Sequence, residues 1–262
     1  MAALVGYRQR RCSETRRLLD HRGELEIMDV TVKIFRYNPE KDERGHYETY
    51  TVDVDPNDRI LDVLELIKGH KDGSLAFRRS CAHGICGSDA MRINGRNMLS
   101  CKTLVKDVGA NLTIEPLLGM KVVKDMIVDM NPFFDNYKKM LPYLINDSPL
   151  PADGKERLQS QEQRARFDES TKCILCAACT TSCPSYWASD EYYGPAALVA
   201  AHRFVFDSRD EGASQRLEIL SETNGTVRCH TAYNCTNACP RDIHITKAIG
   251  ELKLAMVTGK LD

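Results

Sequence analysis

The sequence predicts an α+β protein in two successive parts, a sheet-forming amino-terminal domain and an all-helical carboxy-terminal domain. Three observations predict it. Residues 30–37 and 47–54 alternate apolar and polar side chains, the period of half-buried strands. Beyond residue 161 the chain reads helical, most clearly over 195–206 and 242–257. Between the two lies Asp147-Ser-Pro-Leu-Pro-Ala-Asp-Gly154, which is linker-like. The expected division is an extension at 1–27, a first domain at 28–120, a connecting helix and linker at 121–160, and a second domain at 161–262.

Taken in order, the extension carries Arg8, Arg10, Arg11, Arg16, Arg17 and Arg22 with little apolar periodicity. Glu14, Asp20, Glu24 and Glu26 make it a poor match to an acid-poor mitochondrial transit peptide. It reads as a disordered or partner-contacting segment, or as an overlong start, and Cys12 as a spare thiol. Met28 precedes the first strand. Asn38-Pro-Glu-Lys-Asp-Glu-Arg-Gly45 is a turn, and Asp55-Pro-Asn-Asp58 offers an N-cap to a helix marked by Ile60, Val63, Leu64 and Ile67. Residues 90–94 and 98–103 read as strands around the hairpin signal Asn94-Gly95. Residues 112–116 close the domain. Apolar residues at helical spacing over 122–146, from Met126 to Leu144, predict a core-packed helix.

The 262 residues suffice for one large or two modest domains. A net charge of −1 gives no argument for a general nucleic-acid binder. No stretch approaches 18 consecutive apolar residues, so membrane association is expected to run through partners. Of eleven cysteines, ten fall in three groups, a pattern of metal ligation in a reducing compartment and not of a disulfide framework.

The most informative group is Cys173-Ile-Leu-Cys-Ala-Ala-Cys-Thr-Thr-Ser-Cys-Pro184, a C-x2-C-x2-C-x3-C-P run with the spacing of bacterial-type iron–sulfur ferredoxins. Two-residue gaps let one tight loop wrap three corners of a cubane. The fourth cysteine points to a neighbouring cluster. Thiolate is soft and suits iron–sulfur and zinc centres. The same template lies over Cys229-His-Thr-Ala-Tyr-Asn-Cys-Thr-Asn-Ala-Cys-Pro240, with Ala232 at the second position. One site therefore has Cys173, Cys176 and Cys179 with the crossed-over Cys239, four thiolates suited to [4Fe–4S]. The other has Cys229 and Cys235 with the crossed-over Cys183, three thiolates suited to [3Fe–4S]. The competing reading is a pair of zinc knuckles; the double C-P signature and the three-ligand half-site weigh against it.

The third group, Cys81-Ala-His-Gly-Ile-Cys86, follows the first helix, and the hairpin-plus-helix order resembles the β-grasp of plant-type ferredoxins. That pattern, C-x4-C-x2-C with a distant cysteine, lands on Cys81, Cys86, Asp89 and Cys101. Asp89 either replaces a thiolate with a carboxylate oxygen or is a turn residue. Gly84 and Gly87 would let backbone N–H groups approach the sulfides. His83 hints at a Rieske half-site, but no second Cys/His pair follows; it reads as a loop residue at the cluster mouth or facing a partner.

A plant-type [2Fe–2S] domain ahead of a two-cluster bacterial-type domain resembles the iron–sulfur subunits of succinate dehydrogenases. The resemblance rests on Arg78-Arg-Ser-Cys-Ala-His-Gly-Ile-Cys-Gly-Ser-Asp89, Cys173-Ile-Leu-Cys176, Cys183-Pro-Ser-Tyr-Trp187 and Ser208-Arg-Asp210, and covers roughly residues 28–258. It implies a flavoprotein partner that oxidises succinate at a covalent FAD, a membrane-anchor partner that often carries haem b, and a quinone as electron acceptor. Some members of that family also have Asp at the Asp89 position. The resemblance further implies quinone-lining roles for Pro184, Ser185, Trp187 and His230. Trp187 is alone where the family often has two adjacent tryptophans, and it reads alternatively as a core-packed indole; His230 reads alternatively as a partner-facing residue. The expected location is the cytoplasmic face of a bacterial inner membrane, or the matrix face of a mitochondrial one. The competing functions are the equivalent subunit of a quinol:fumarate reductase and a free-standing ferredoxin, the latter opposed by chain length and by the mixed cluster set.

Overall fold

A computed structural model of the chain describes residues 27–189 and 191–261. The extension and Cys12 lie outside those residues, apart from the exposed Ile27. Strands β1 (Met28–Arg36) and β2 (His46–Val54) pair antiparallel with Met28 opposite Val54. Alternation does what it predicted: Val30, Val32 and Ile34 are buried while their neighbours face solvent. Helix α1 (Ile60–His70) covers this face with Ile60, Leu61, Val63, Leu64 and Ile67. Its N-cap is Arg59, one residue past the expected turn, because the Asp62 carboxylate accepts the Arg59 backbone N–H at 2.9 Å.

A long loop carrying Cys81, Cys86 and Asp89 leads to β3 (Ala90–Ile93) and β4 (Arg96–Leu99). Asn94 and Gly95 both take positive φ, +47° and +79°, as their hairpin requires. β4 is shorter than predicted. Asp89 captures the backbone after Leu99: its carbonyl accepts Ser100 N and its carboxylate accepts Cys101 N. A four-residue helix, α2 (Val105–Val108), precedes β5 (Asn111–Glu115). β5 is central, parallel to β1 and antiparallel to β3, in the sheet order β2-β1-β5-β3-β4.

The segment predicted as one long helix is helical only in α3 (Asn131–Lys139). Before it, β6 (Val122–Lys124) and β7 (Ile127–Val128) form a small hairpin turning at Asp125, where φ is +46°. After it, Pro142 disfavours helix at Leu141, which adopts φ +49°. The apolar spacing reflects burial without continuous helix: Val128, Phe133 and Met140 pack into the core of the second domain.

That core is built on α6 (Pro195–Val205) and α9 (Ile245–Thr258), with α7 (Ala213–Ser221) against α6. Shorter helices α4 (Gln161–Ala165), α5 (Pro184–Ala188) and α8 (Asn234–Asn237) carry the loops around it. The Ser208-Arg-Asp210 motif is a structural staple. Asp210 pairs with Arg216 at 2.6 Å, both side chains at 0 % exposure. The Arg216 guanidinium also donates to the carbonyls of Met140, Leu141 and Tyr143, and the Asp210 carboxylate accepts Ile145 N. The extended strap after α3 is thereby fixed to α7.

Candidate metal centres

Four thiols, Cys173, Cys176, Cys179 and Cys239, line one small cavity. Three thiols, Cys183, Cys229 and Cys235, line a second, and Ala232 stands in its wall with no metal-binding atom. The loops adopt this form through positive φ at Leu175 and Ala177 in the first and at Thr231 and Tyr233 in the second. Among the described residues no three His, Cys, Asp or Glu side chains converge closely enough to hold one ion. A zinc ion needs its ligand sulfurs gathered around one point.

Burial dominates their electrostatics. It raises Cys173 and Cys235, pushes Cys176 up to about 12 and holds Cys179 well above its ordinary value, with neighbouring thiols adding to each. Such sulfurs become thiolates only when cations replace their protons. Each cavity also holds a polar group with no partner among the described residues. Tyr192, whose buried hydroxyl is unpaired, lines the second, and Arg241, whose buried Nε is unpaired, lines the first. Several soft donors gathered in one wall, with unpaired hydrogen-bond donors among the lining residues, fit a sulfide-bearing cluster.

The third centre sits in the amino-terminal domain. Cys81 Sγ accepts the backbone N–H groups of His83, Ile85 and Cys86 at 3.5, 3.4 and 3.3 Å. These bonds, that from His83 first, draw the Cys81 thiol down to about 6. Asp89 is 3 % exposed, and its Oδ2 accepts Ser100 Oγ at 2.9 Å and Cys101 N at 2.6 Å. Burial first and the Asp89 carboxylate second push the Cys101 thiol up to about 12. Asp89 is thus a buried group against Cys101 and not an exposed turn residue. His83 is exposed, with Nδ1 donating to the Cys81 carbonyl at 2.6 Å.

Three contacts bring this loop to the other two centres. Gly87, at φ +70°, leaves no room for a Cβ, which would lie 2.7 Å from Cys176 Cβ. Asn97 Nδ2 reaches Ala178 O, Thr181 Oγ1 and Ser182 Oγ at 3.1, 2.8 and 2.8 Å, beside the ligand candidates Cys179 and Cys183. Lys102 Nζ donates to Pro240 O at 3.3 Å. Motif spacing signalled neither Asn97 nor Tyr192, since each meets residues distant in sequence.

Of the four expected quinone-site residues, Pro184, Ser185 and His230 line the second cavity with its three thiols. Trp187 lies elsewhere, facing the groove towards the amino-terminal domain. It is 48 % exposed, so it is not core-packed, and its indole N–H donates to Thr181 O at 2.8 Å.

Comparison with known proteins bears on all three centres. A family model described as a 2Fe-2S iron-sulfur cluster binding domain matches residues 31–135, and one described as a 4Fe-4S dicluster domain matches residues 165–240. The chain is 42 % identical over 231 residues to the succinate dehydrogenase iron-sulfur subunit of Coxiella burnetii, covering 87 % of this chain and 97 % of that one. It is 45 % identical over 227 residues to the mitochondrial succinate dehydrogenase [ubiquinone] iron-sulfur subunit of Candida glabrata, covering 85 % and 89 %. Over 226 residues it is 44 % identical to the Paracoccus denitrificans subunit, covering 86 % of each. A chain of the Mycobacterium smegmatis Sdh1 complex in the apo form superposes with a TM-score of 0.81 at 26 % identity, covering 90 % of this chain and 99 % of that one. At this identity, over this much of its length, the chain belongs to the family of succinate dehydrogenase iron–sulfur subunits.

Proposed function

We propose that the chain is the electron-transfer subunit of a succinate:quinone oxidoreductase, joining a flavoprotein that oxidises succinate to a membrane quinone. The observation that carries this reading is the pairing of a four-thiol and a three-thiol cavity beside a Cys/Asp centre. Cys81, Cys86, Asp89 and Cys101 would hold [2Fe–2S]. Cys173, Cys176, Cys179 and Cys239 would hold [4Fe–4S], and Cys183, Cys229 and Cys235 would hold [3Fe–4S]. When bound, these clusters supply one-electron carriers. The relatives named above are dehydrogenase subunits, so the quinol:fumarate reductase alternative is not favoured.

The chain's own residues position, shield and tune. The N–H groups at 83, 85 and 86 stabilise negative sulfur at Cys81. Gly87, Asn97 and Lys102 hold the three centres in one register. At the second cavity, Pro184 supplies an apolar edge, and Ser185 and His230 supply polar groups for a quinone carbonyl. Trp187 keeps only an apolar ring face for such a ligand, because its N–H is already committed. Among the described residues no helix is long and apolar enough to cross a membrane. A peripheral position, held by an anchor partner, fits that composition.

EPR of the purified complex, oxidised and then reduced stepwise, with iron and zinc counted, tests the proposal. The expected result is a [3Fe–4S] signal when oxidised, followed by [2Fe–2S] and [4Fe–4S] signals on reduction. Zinc without iron overturns it.

A further inference from the structure

We propose that the Tyr192 hydroxyl donates a hydrogen bond to the sulfur cage held in the second cavity and so raises its reduction potential. This rests on reading that cavity as an iron–sulfur site. Tyr192 is 0 % exposed, and its hydroxyl has no hydrogen-bond partner among the described residues. The side chain lines the cavity with Cys183, Cys229 and Cys235. Its neighbour in sequence behaves differently, since the Tyr193 hydroxyl donates to Glu222.

A buried hydroxyl without an acceptor is costly, and such orphans are rare in native proteins. Beside this one stand the sulfurs of Cys183, Cys229 and Cys235, which share the cavity wall with it. A phenol hydroxyl is a donor, and thiolate or sulfide is the acceptor that a loaded cavity would present. The wall repeats the arrangement once more, with Thr246 Oγ1 3.6 Å from Cys235 Sγ. A donor to cluster sulfur stabilises the state carrying more negative charge, which is the reduced one. Tyr192 is therefore a positioning and tuning residue.

The test is a redox titration of the whole complex followed by the EPR signal of this centre, comparing Tyr192→Phe with Tyr193→Phe. Tyr192→Phe is expected to keep its iron and its line shape. Its reduction equilibrium should shift about tenfold towards the oxidised form, about 59 mV lower for a one-electron couple. Tyr193→Phe should not move it. Deuterium hyperfine spectroscopy after exchange into D2O should detect a deuteron coupled to the cage that Tyr192→Phe lacks. An unmoved potential with iron in place overturns this inference alone. A centre with the expected potential shift but a four-iron spectrum overturns only the assignment of cluster type. Zinc without iron overturns both. Should Tyr192→Phe fail to assemble, unmutated protein carrying tyrosine labelled with oxygen-17 at the phenol decides: an oxygen-17 coupling to the cage supports the donor, and its absence refutes it.

Discussion

Replacing Asp210 by Asn removes one charge from the buried pair that pins the strap while nearly preserving volume. The Arg216 guanidinium then remains buried against three backbone carbonyls and the Phe204 ring, with no counter-charge. Breaking a buried pair from one side costs about 3–5 kcal/mol, because the surviving charge has been removed from water without its partner. Even the lower figure is more than a hundredfold in a local opening equilibrium, at about 1.4 kcal/mol per tenfold. Native-state hydrogen exchange of the loaded chain reads it without global unfolding. The amides of Glu211, bonded to Ile145 O at 2.7 Å, and Arg216, bonded to Gly212 O at 3.1 Å, should exchange at least a hundredfold faster. Amides of β1 in the other domain should not change. A second arm uses Arg216→Met and the double variant Asp210→Asn/Arg216→Met. The double variant should lose at least about 2 kcal/mol less than the sum of the singles, since neither charge is then stranded. Additive losses, or protection falling equally in β1, would refute the staple.

Three further predictions concern the centres and their support. Asp89→Cys should keep a [2Fe–2S] EPR signal and Asp89→Ala should weaken or lose it; an unchanged signal in Asp89→Ala rules out ligation by Asp89. Ala232→Cys places a fourth thiol in the wall of the second cavity, and should replace the oxidised-state three-iron signal by a four-iron one on reduction, with an unaltered spectrum counting against it. The buried His202 imidazole links Ser170 Oγ at 2.9 Å to Glu251 Oε2 at 2.7 Å, with Arg166 and Lys247 also on Glu251. Burial holds it below its ordinary value despite Glu251. The unfolded chain thus takes up the proton first. This stability is present above about pH 6.5 and is lost as pH falls below it. His202→Phe should flatten that part of the pH dependence of protection at Phe206 N, and an unchanged slope would refute the assignment.

How far the sequence reaches is clearest at particular residues. Cysteine spacing alone partitioned seven thiols into a four and a three. The structure lines two cavities with those same sets: the short loops fix the thiols within each run, and packing of the two runs against each other adds Cys239 to the first and Cys183 to the second. The strands and α1 were legible for a similar reason: a local period of two or 3.6 decides which face is buried. Residues 122–146 were misread because apolar spacing reports burial, not backbone conformation. A hairpin turn at Asp125 and the Leu141–Pro142 stop overrode it. Trp187 lines a different groove from Pro184, Ser185 and His230, with its N–H committed to Thr181 O, and motif position reveals neither.

The sequence by itself determined the two-domain order, the grouping of the thiols and the family. The tertiary structure alone decided which residues join those sets into one unit. Gly87 meets Cys176 across 89 residues, Asn97 reaches Ser182 across 85 and Arg216 gathers the strap from 73 or more residues away. Tyr192 enters a cavity whose thiols come from both cysteine runs. Spacing along the chain constrains only what one loop or one helix turn can reach. Contacts between distant segments depend on how the cores pack, and no local pattern encodes that.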